Sequence, residues 1–323
     1  MRIRSRRLAV AMLVSGLALL AGPVTMAVAQ TADEPALGVF DVTADATGIG
    51  ASFGDPNTQP YPTAAGLVPS ATAQLGAGPS GHALSSIAWP GPLLGNAGTL
   101  ANLIGTPLPA EVVNNGNDPV RADASASGGE RDEQTLGPMS AVVDGTGSTA
   151  RTALTDFAQP SVVSAARVVT KGRSYLDGGT AVALAESQLE GVEIAGLIKI
   201  DSIRTTAKGT TDGQAATTDQ DVVITGVTVQ GQGATIDGTG IHLGPQAAPS
   251  PLDPVVSGAN QALKAFGMEA FVTKPMEQTG AGGAGLVRSG SVVFVWEPPN
   301  SGQRFTVVLG GASAQVEATP GSA

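Results

Sequence analysis

The feature that most constrains the fold of this chain is a large glycine content combined with very few aromatic residues. The 323 residues include 44 glycines, while Phe, Trp and Tyr together make up only 3%. An interior glycine costs a helix roughly 0.5 to 1 kcal/mol relative to alanine, and the glycines show no triplet period of the collagen type. We therefore predict sheets joined by tight turns, with Ala, Val, Ile and Leu filling the interior.

Strands and hairpins are predicted along most of the chain. Apolar residues fall on alternate positions from Val192 to Ile200, which indicates one half-buried strand, and Ile203 breaks this phase, which indicates a bulge or bend near Asp201. Asp-Gly pairs at 144, 177, 212 and 237 lie between apolar runs, where both residues tolerate the positive φ of tight hairpins. Four such turns favour an antiparallel meander. Further strands are predicted at 38–43, 83–89, 222–229, 270–273, 292–296 and 304–309.

One amphipathic helix is predicted over residues 252–266. Its apolar residues keep the 3, 4, 7 spacing of a single stripe from Leu252 to Phe266. Asp253 before Pro254 resembles an N-cap followed by the first helical residue, and Gly267 suits the C′ position. The predicted fold is therefore mainly β, in the α+β class: an antiparallel meander or curved sheet packed on one C-terminal amphipathic helix.

The first 29 residues have the features of a signal peptide. Arginines within 2–7 precede an apolar run at 8–22, and Ala27-Val28-Ala29 supplies a small-x-small cleavage site. The run is shorter than the roughly 20 residues that cross a bilayer as a helix, so we expect a mature chain from Gln30 without a transmembrane anchor. Both the general and the twin-arginine export routes remain open. The predicted location is secreted or in the cell envelope.

The mature chain is predicted to form one continuous domain. A Pro/Gly-rich β region at 30–119 leads into the antiparallel β region with the helix at 120–323. The chain has no cysteine, so neither disulfides nor thiolate metal sites can stabilise it. The net charge of −10 becomes −14 once the four arginines of the leader are removed. This acidity disfavours nucleic acid and anionic lipid surfaces as partners.

An envelope hydrolase that uses a serine or a carboxylate pair is the enzymatic alternative. Residues 50–54 match the G-x-S-x-G elbow around Ser52, but Asp55-Pro56-Asn57 follow where its helix should begin. The base would have to be His82 or His242. We assign no catalytic residue, with Ser52 and His82 as the side chains to test.

The remaining motifs predict neither a metal nor a cofactor. The carboxylate groups at 130–133 and 219–221 lack the alternating oxygen ligands of a calcium loop, and the two histidines have no cluster of zinc ligands. A G-x-G-x-x-G match at 280–285 precedes a strand, so we expect a hairpin loop there and no dinucleotide site. Trp89 and Trp296 could each stack on a ligand or cap an edge of the core.

Several runs resemble a family of uncharacterised exported proteins that is common in actinobacteria. The matching stretches include VTVQGQGATIDGTGIHL at 227–243 and SVVFVWEPPNSGQRFTVVLGG at 291–311. Three shorter stretches, at 83–92, 117–125 and 198–213, also match. The resemblance implies export and a β-rich fold, and it implies no activity, ligand or catalytic residue.

These observations predict a non-enzymatic secreted or envelope protein. A wide interior with few aromatic residues is expected to leave apolar space, which favours an apolar or lipid-like small molecule as the ligand. A structural or adhesive surface role and the hydrolase are the alternatives, and an envelope component is the other partner considered.

Overall fold

The computed structural model describes residues 37–57, 62, 64–78, 80–88, 121–159, 162–244, 267–297 and 301–321, which contain nineteen strands and no helix. The strands are β1 (Leu37–Gly54), β2 (Ala64–Gly76), β3 (Ser80–Ser86), β4 (Arg121–Ala126), β5 (Asp132–Leu136), β6 (Met139–Asp144), β7 (Gly147–Gln159), β8 (Val163–Asp177), β9 (Thr180–Ile194), β10 (Ile198–Thr211), β11 (Ala216–Thr225), β12 (Val227–Val229), β13 (Gln232–Asp237), β14 (Gly240–Leu243), β15 (Met268–Val272), β16 (Met276–Thr279), β17 (Gly285–Arg288), β18 (Val292–Trp296) and β19 (Arg304–Pro320).

The strands form two antiparallel sheets. Sheet 1 has the order β15-β18-β19-β1-β2-β3-β4, with β17 also on β19 and β16 on β17. Sheet 2 has the order β14-β13-β12-β10-β9-β8-β7-β6-β5, with β11 also on β10. The predictions of a mainly β fold and of an antiparallel meander are confirmed. The predicted helix at 252–266 lies outside the described residues.

All four predicted Asp-Gly turns are hairpin turns. They join β6 to β7, β8 to β9, β10 to β11 and β13 to β14. In three of them the aspartate side chain accepts backbone N–H groups that the turn would otherwise leave unpaired. Asp144 accepts those of Thr146 and Gly147 at 2.9 and 3.0 Å, and Asp212 and Asp237 act in the same way.

The predicted single strand from Val192 to Ile200 is wrong. A turn at Ala195–Leu197 divides it into the end of β9 and the start of β10, and Val192 pairs with Ile200 across the hairpin. Ala195 and Gly196 adopt positive φ of 51° and 69°. The apolar residues still fall on alternate positions across the turn, because three turn residues leave Ile194 and Ile198 an even number of positions apart.

The phase break predicted near Asp201 is real, and it extends across sheet 2. The register of β9 with β10 is the same at Ile200 and at Ser202, so no residue is inserted there. Instead, the alternation of buried and exposed residues shifts by one position in each of β8, β9 and β10, and these shifts lie next to one another across the three strands. Gly191 and Gly226, which flank Asp201 on the neighbouring strands by register, have φ of 60° and 63°. These left-handed residues allow the strands to exchange faces while the register is kept.

The two sheets approach each other closely where small residues face one another. A Cβ on Gly172 of β8 would lie 2.7 Å from the backbone oxygen of Ala44 and 3.1 Å from the backbone nitrogen of Ala73, both in sheet 1. The Ser174 hydroxyl donates to the Ala73 carbonyl at 2.8 Å. A second part of the core is filled by larger side chains such as Leu189 and Phe294. The interior is therefore narrow in one part and wide in another.

A row of four hydroxyl groups crosses the buried face of sheet 2. Thr152, Thr170, Ser187 and Thr205 pair in register on β7 to β10, and all four are 0% exposed. The Thr152 hydroxyl donates to the Ser70 carbonyl at 3.1 Å. The other three hydroxyls have no hydrogen-bond partner in the described part of the chain. Buried unpaired hydroxyls oppose folding, so this row is a specific weakness of the core.

Sheet 1 is built from the two ends of the described chain. Strand β1 pairs with β19 from Leu37 with Pro320 to Gly54 with Arg304, and β2 lies on its other side. Both long strands extend well beyond the predicted limits at 38–43 and 304–309, whereas β18 coincides with the prediction at 292–296.

Candidate functional site

Ser52 and His82 are not brought together. Ser52 lies on β1 opposite Thr306 and Ala65, whereas His82 lies on β3 at the level of Thr43 on β1. Nine residues of strand separate these two levels, which is roughly 30 Å at 3.3 Å per residue. A histidine base must be within hydrogen-bond reach of its serine, so the two residues do not form a nucleophile–base pair.

His82 belongs to a small surface cluster on sheet 1. Its Nε2 is 2.8 Å from Oδ1 of Asp123, and Arg121 is 3.2 Å from the other carboxylate oxygen. The His82 side chain is 42% exposed. The cluster joins β3 to the edge strand β4, and its ion pairs are of the exposed kind that contributes little to stability.

Of the carboxylate groups at 130–133 and 219–221, Asp132 serves the fold and those of β11 are exposed. The Asp132 carboxylate accepts the backbone N–H of Ser125 at 2.8 Å, and the Gln134 side chain accepts that of Asp123 at 2.6 Å. Side chains of β5 thus occupy amides on the outer edge of β4. Asp219 and Asp221 point to solvent on β11. No group of three or more His, Cys, Asp or Glu side chains with metal-site geometry occurs within the described ranges.

The glycine-rich run at 280–285 is a hairpin connection, as predicted. It joins β16 to β17, and Gly282 and Gly283 have φ of 73° and 76°. The Gly283 carbonyl accepts the Thr211 hydroxyl at 2.7 Å, which ties the loop to the end of β10.

Trp296 lies at the end of β18 in a row of aromatic rings. Its ring centroid is 5.2 Å from that of Phe305, which is 4.5 Å from that of Phe53 on the next strand. By strand alternation the row shares the face of sheet 1 that carries Phe294 in the core, and Trp296 is 42% exposed. Trp89 lies outside the described residues.

Asp45 is a carboxylate on β1 that is largely withdrawn from water. Burial raises its pKa, and the Thr72 hydroxyl, which donates at 2.8 Å, and the charge of Arg288 partly oppose this increase. The sequence offered no sign of this environment, because the surrounding residues come from β2 and β17.

An apolar groove runs along one edge of the molecule, between the last strands of the two sheets. We call it the edge groove; its volume is about 470 Å³. On the side of sheet 2 the groove is lined by residues of β11, β12 and β13, by Gly226 between β11 and β12 and by Gly238 between β13 and β14. On the side of sheet 1 it is lined by Val272 of β15. The apolar lining residues are Val222, Ile224, Val227, Ala234, Ile236 and Val272.

A second, smaller hollow adjoins the edge groove at Gly238. It has a volume of about 240 Å³ and is lined by Thr239, Gly240 and residues 268–271 of β15. The turn between β13 and β14 therefore lies between two concave surfaces. Both are made by strands that are distant in sequence but adjacent at the edges of the sheets.

A hydrogen-bonded polar group lies at the turn that borders the edge groove. Oδ1 of Asp237 accepts the backbone N–H of Thr239 at 2.7 Å, its hydroxyl at 2.6 Å and the ring Nε2 of His242 at 3.0 Å. Burial would raise the pKa of Asp237, but these hydrogen bonds and the charge of His242 outweigh it and lower the pKa to about 2. Asp237 is therefore an anion at every ordinary pH.

Sequence reasoning identified the turn at Asp237-Gly238 and placed His242 on a strand, but it did not identify the edge groove. The groove residues come from two segments, 222–238 and 272, whose apolar patterns predict ordinary strands. Their convergence depends on the positions of β11, β12, β13 and β15 at the ends of the two sheets.

Comparisons with known proteins identify no family. No protein-family model and no curated protein matches the chain. The translocator domain of the autotransporter NalP from Neisseria meningitidis aligns with 86% of this chain and 88% of its own length, at 9% identity and a TM-score of 0.11. A TM-score this low carries no argument about fold or function. Within the described ranges no helix has the length and apolar character of a membrane span.

Proposed function

We propose that this chain is a non-enzymatic protein of the cell envelope or the extracellular medium that binds an apolar small molecule in the edge groove. The groove itself carries the proposal. Six apolar side chains from four strands line about 470 Å³, and Thr235 and Asp237 are the polar residues of the lining. Ligand sites commonly have volumes of 300 to 1,000 Å³, a mainly apolar lining and a few polar groups that orient the ligand.

The narrow part of the interior supports the groove as the place for a ligand. The approach of Gly172 to the Ala44 and Ala73 backbones leaves no room for a third layer between β1, β2 and β8. An apolar ligand therefore does not fit between these three strands. The edge groove lies at the margin of the sheets, and its walls are continuous with the wide part of the core through Val227 and Ile236.

The location outside the cytoplasm rests on the leader at 1–29 and on the resemblance to exported proteins. The positions of Ser52 and His82, on different strands roughly 30 Å apart, argue against this pair as a nucleophile and its base.

Titration with N-phenyl-1-naphthylamine, a neutral apolar fluorophore, tests the proposed binding. We expect saturable fluorescence with the wild-type protein and none with Ile224→Trp, because the indole fills the groove. Val223→Trp is the matched control: Val223 is the neighbouring residue on β11, it faces the opposite side and it is 43% exposed. This variant should bind like the wild type. Ala234→Phe, from another wall, should behave like Ile224→Trp.

The outcomes separate the proposed function from its alternatives. Extraction of the purified protein with organic solvent and mass spectrometry would identify a molecule that already occupies the groove. No saturable binding and no extracted molecule would refute the proposal and leave a structural surface role. Equal loss of binding in Ile224→Trp and Val223→Trp would also refute the assignment to the groove.

A further inference from the structure

The outer face of sheet 2 carries a concentration of positive charge that is separate from the edge groove. Arg151 of β7 pairs in register with Lys171 of β8, and Thr149 pairs with Arg173 two positions along the same strands. All four side chains lie on the solvent side, because the positions that alternate with them are buried. Directly opposite side chains have Cβ atoms about 5 Å apart, so three cations and one hydroxyl share a small area. We call these four residues the cationic block.

Little negative charge neutralises the cationic block. The Lys171 ammonium lies 3.7 Å from one carboxylate oxygen of Glu186, whose other oxygen lies 3.5 Å from Arg204. Arg151 and Arg173 form no ion pair within the described residues. Like charges directly opposite each other destabilise a sheet, so the pairing of Arg151 with Lys171 opposes folding. A bound anion would remove this cost.

Arg173 is held in place without the use of a carboxylate. Its guanidinium carbon lies over the Tyr175 ring, 4.2 Å from the ring centroid. This cation–π contact restricts the arginine side chain, so less side-chain entropy is lost when an anion binds. The planar fork of N–H donors on a guanidinium matches the oxygens of a phosphate or carboxylate group. Arg173 is therefore preorganised for an oxyanion.

The cationic block suits a phosphate monoester better than a carboxylate. A phosphate monoester has three strong acceptor oxygens and a charge of about −1.5 to −2 at pH 7. It can accept hydrogen bonds from Arg151, Arg173 and the Thr149 hydroxyl at the same time. A carboxylate has only two oxygens, and a single arginine fork occupies both of them.

A further cation lies on the same face. Lys208 of β10 and Arg173 of β8 both pair with Leu184 of β9, so they are two strand spacings, or roughly 10 Å, apart. Lys208 is exposed and forms no ion pair in the described part of the chain, although Asp219 is opposite it on β11. A ligand that contacts both positions needs two anionic groups at about this separation.

The positive charge is local. Asp144 and Asp177, at the hairpin turns that join β6 to β7 and β8 to β9, lie roughly 11 to 13 Å from Arg173 along the sheet. The whole chain has a net charge of −10. Charges are screened over about 8 Å at physiological ionic strength, so a compact anion is attracted by the cationic block alone. A nucleic acid or an anionic lipid surface also meets the acidic remainder of the protein and is repelled.

We infer that the outer face of sheet 2 binds a compact small molecule with two or more phosphate monoester groups, one held by Arg151, Lys171 and Arg173 and another by Lys208.

Isothermal titration calorimetry at pH 7 with inositol hexakisphosphate as the probe tests the inference. We expect saturable binding by the wild-type protein that weakens as the salt concentration increases, because the site is exposed. Inorganic phosphate should bind about a hundredfold more weakly, because it occupies one position only. Mellitate, a ring with six carboxylates, should bind about three- to tenfold more weakly, because each carboxylate offers fewer oxygens and less charge.

Substitutions place the binding on this face. Arg151→Ala and Arg173→Ala should each weaken binding about two- to fivefold, and the double variant Arg151→Glu/Arg173→Glu should abolish it. The matched control is Arg131→Glu/Lys274→Glu, which makes the same change in net charge at two exposed cations outside the cationic block and should bind like the wild type. Thermal unfolding checks that all variants are folded.

Glu186→Gln should strengthen binding about two- to fivefold, because it releases Lys171 and Arg204 from their carboxylate partner. A gain of affinity is not expected if Glu186 has only a structural role.

The inference is wrong if the wild type shows no saturable binding, if the two double variants lose binding equally, or if mellitate binds as tightly as the phosphate probe. Tighter binding of single-stranded DNA or of phosphatidylglycerol vesicles would also overturn it, because an extended polyanion would then be preferred. The cationic block shares no residue with the edge groove, so none of these results affects the proposed function, which the titration with N-phenyl-1-naphthylamine tests separately.

Discussion

The row of buried hydroxyls offers a matched test of how this core is stabilised. Thr152 and Thr170 pair in register on β7 and β8, share the inward face and are both 0% exposed. Valine has nearly the shape of threonine without the hydroxyl. Thr170→Val removes a buried hydroxyl that has no hydrogen-bond partner in the described structure, and such groups cost about 1 to 3 kcal/mol in proteins. We expect the variant to be more stable than the wild type.

Thr152→Val should have the opposite effect. Its hydroxyl donates to the Ser70 carbonyl at 3.1 Å, so the substitution loses that hydrogen bond, at a cost of about 1 kcal/mol. The two variants should therefore differ by about 2 kcal/mol or more. At about 2 °C per kcal/mol for a domain of this size, the difference in Tm is about 4 °C or more.

Thermal unfolding followed by circular dichroism, with urea unfolding as a second measure, gives both free energies. Thr205→Val, the other unpaired threonine of the row, should behave like Thr170→Val. The reasoning fails if Thr170→Val destabilises the protein as much as Thr152→Val does. That result would mean that the Thr170 hydroxyl is paired in solution, for example by a buried water molecule.

Three further predictions follow from the close approach of the sheets, the turn at Asp237 and the leader. Gly172→Ala should lower the free energy of unfolding by about 1 to 3 kcal/mol, because the added Cβ meets the Ala44 backbone. Gly233→Ala is the control and should leave the free energy of unfolding unchanged, because a Cβ there meets nothing within 4 Å. Equal Tm values for the two variants would contradict the close approach of the sheets. The pKa of Asp237 is lowered from 3.8 to about 2, so its contribution to stability is present above about pH 4 and is lost as the pH falls through 2. The difference in the free energy of urea unfolding between the wild type and Asp237→Asn should therefore shrink over that interval. A constant difference would refute the role of the hydrogen bonds to Asp237. Intact-mass analysis of exported protein should give a chain that starts at Gln30, and retention of residues 1–29 would overturn the predicted location.

The fold could be predicted from the sequence where local chemistry determines it. The four Asp-Gly turns and β18 were located correctly, because turn residues and a short apolar run act through their immediate neighbours. The hairpin at Ala195–Leu197 was missed, because alternation alone cannot distinguish a continuous strand from two strands joined by a turn that preserves parity. The lengths of β1 and β19 were also missed, because each extends along the other and their pairing is not local.

The candidate site could not be predicted for a related reason. Val222, Ile236 and Val272 each read as ordinary strand residues, and only the order of strands within the two sheets brings them to one groove. The side chains that attracted attention by type, Ser52 and His82, lie far apart because β1 carries Ser52 towards its C-terminal end.

The pairing of β1 with β19 has a consequence for how the protein is made. Val39 and Thr319 are hydrogen-bonded although they are 280 residues apart, and β1 has β19 along one side for most of its length. A chain that is synthesised or translocated from its N-terminus therefore exposes one edge of β1 until nearly all of it has emerged. Sheet 2, whose strands follow one another from β5 to β14, can form before that moment. We expect the fold to be completed slowly, because contacts of such high sequence separation form late. During this long interval β1 and β2 must be kept from pairing with other chains.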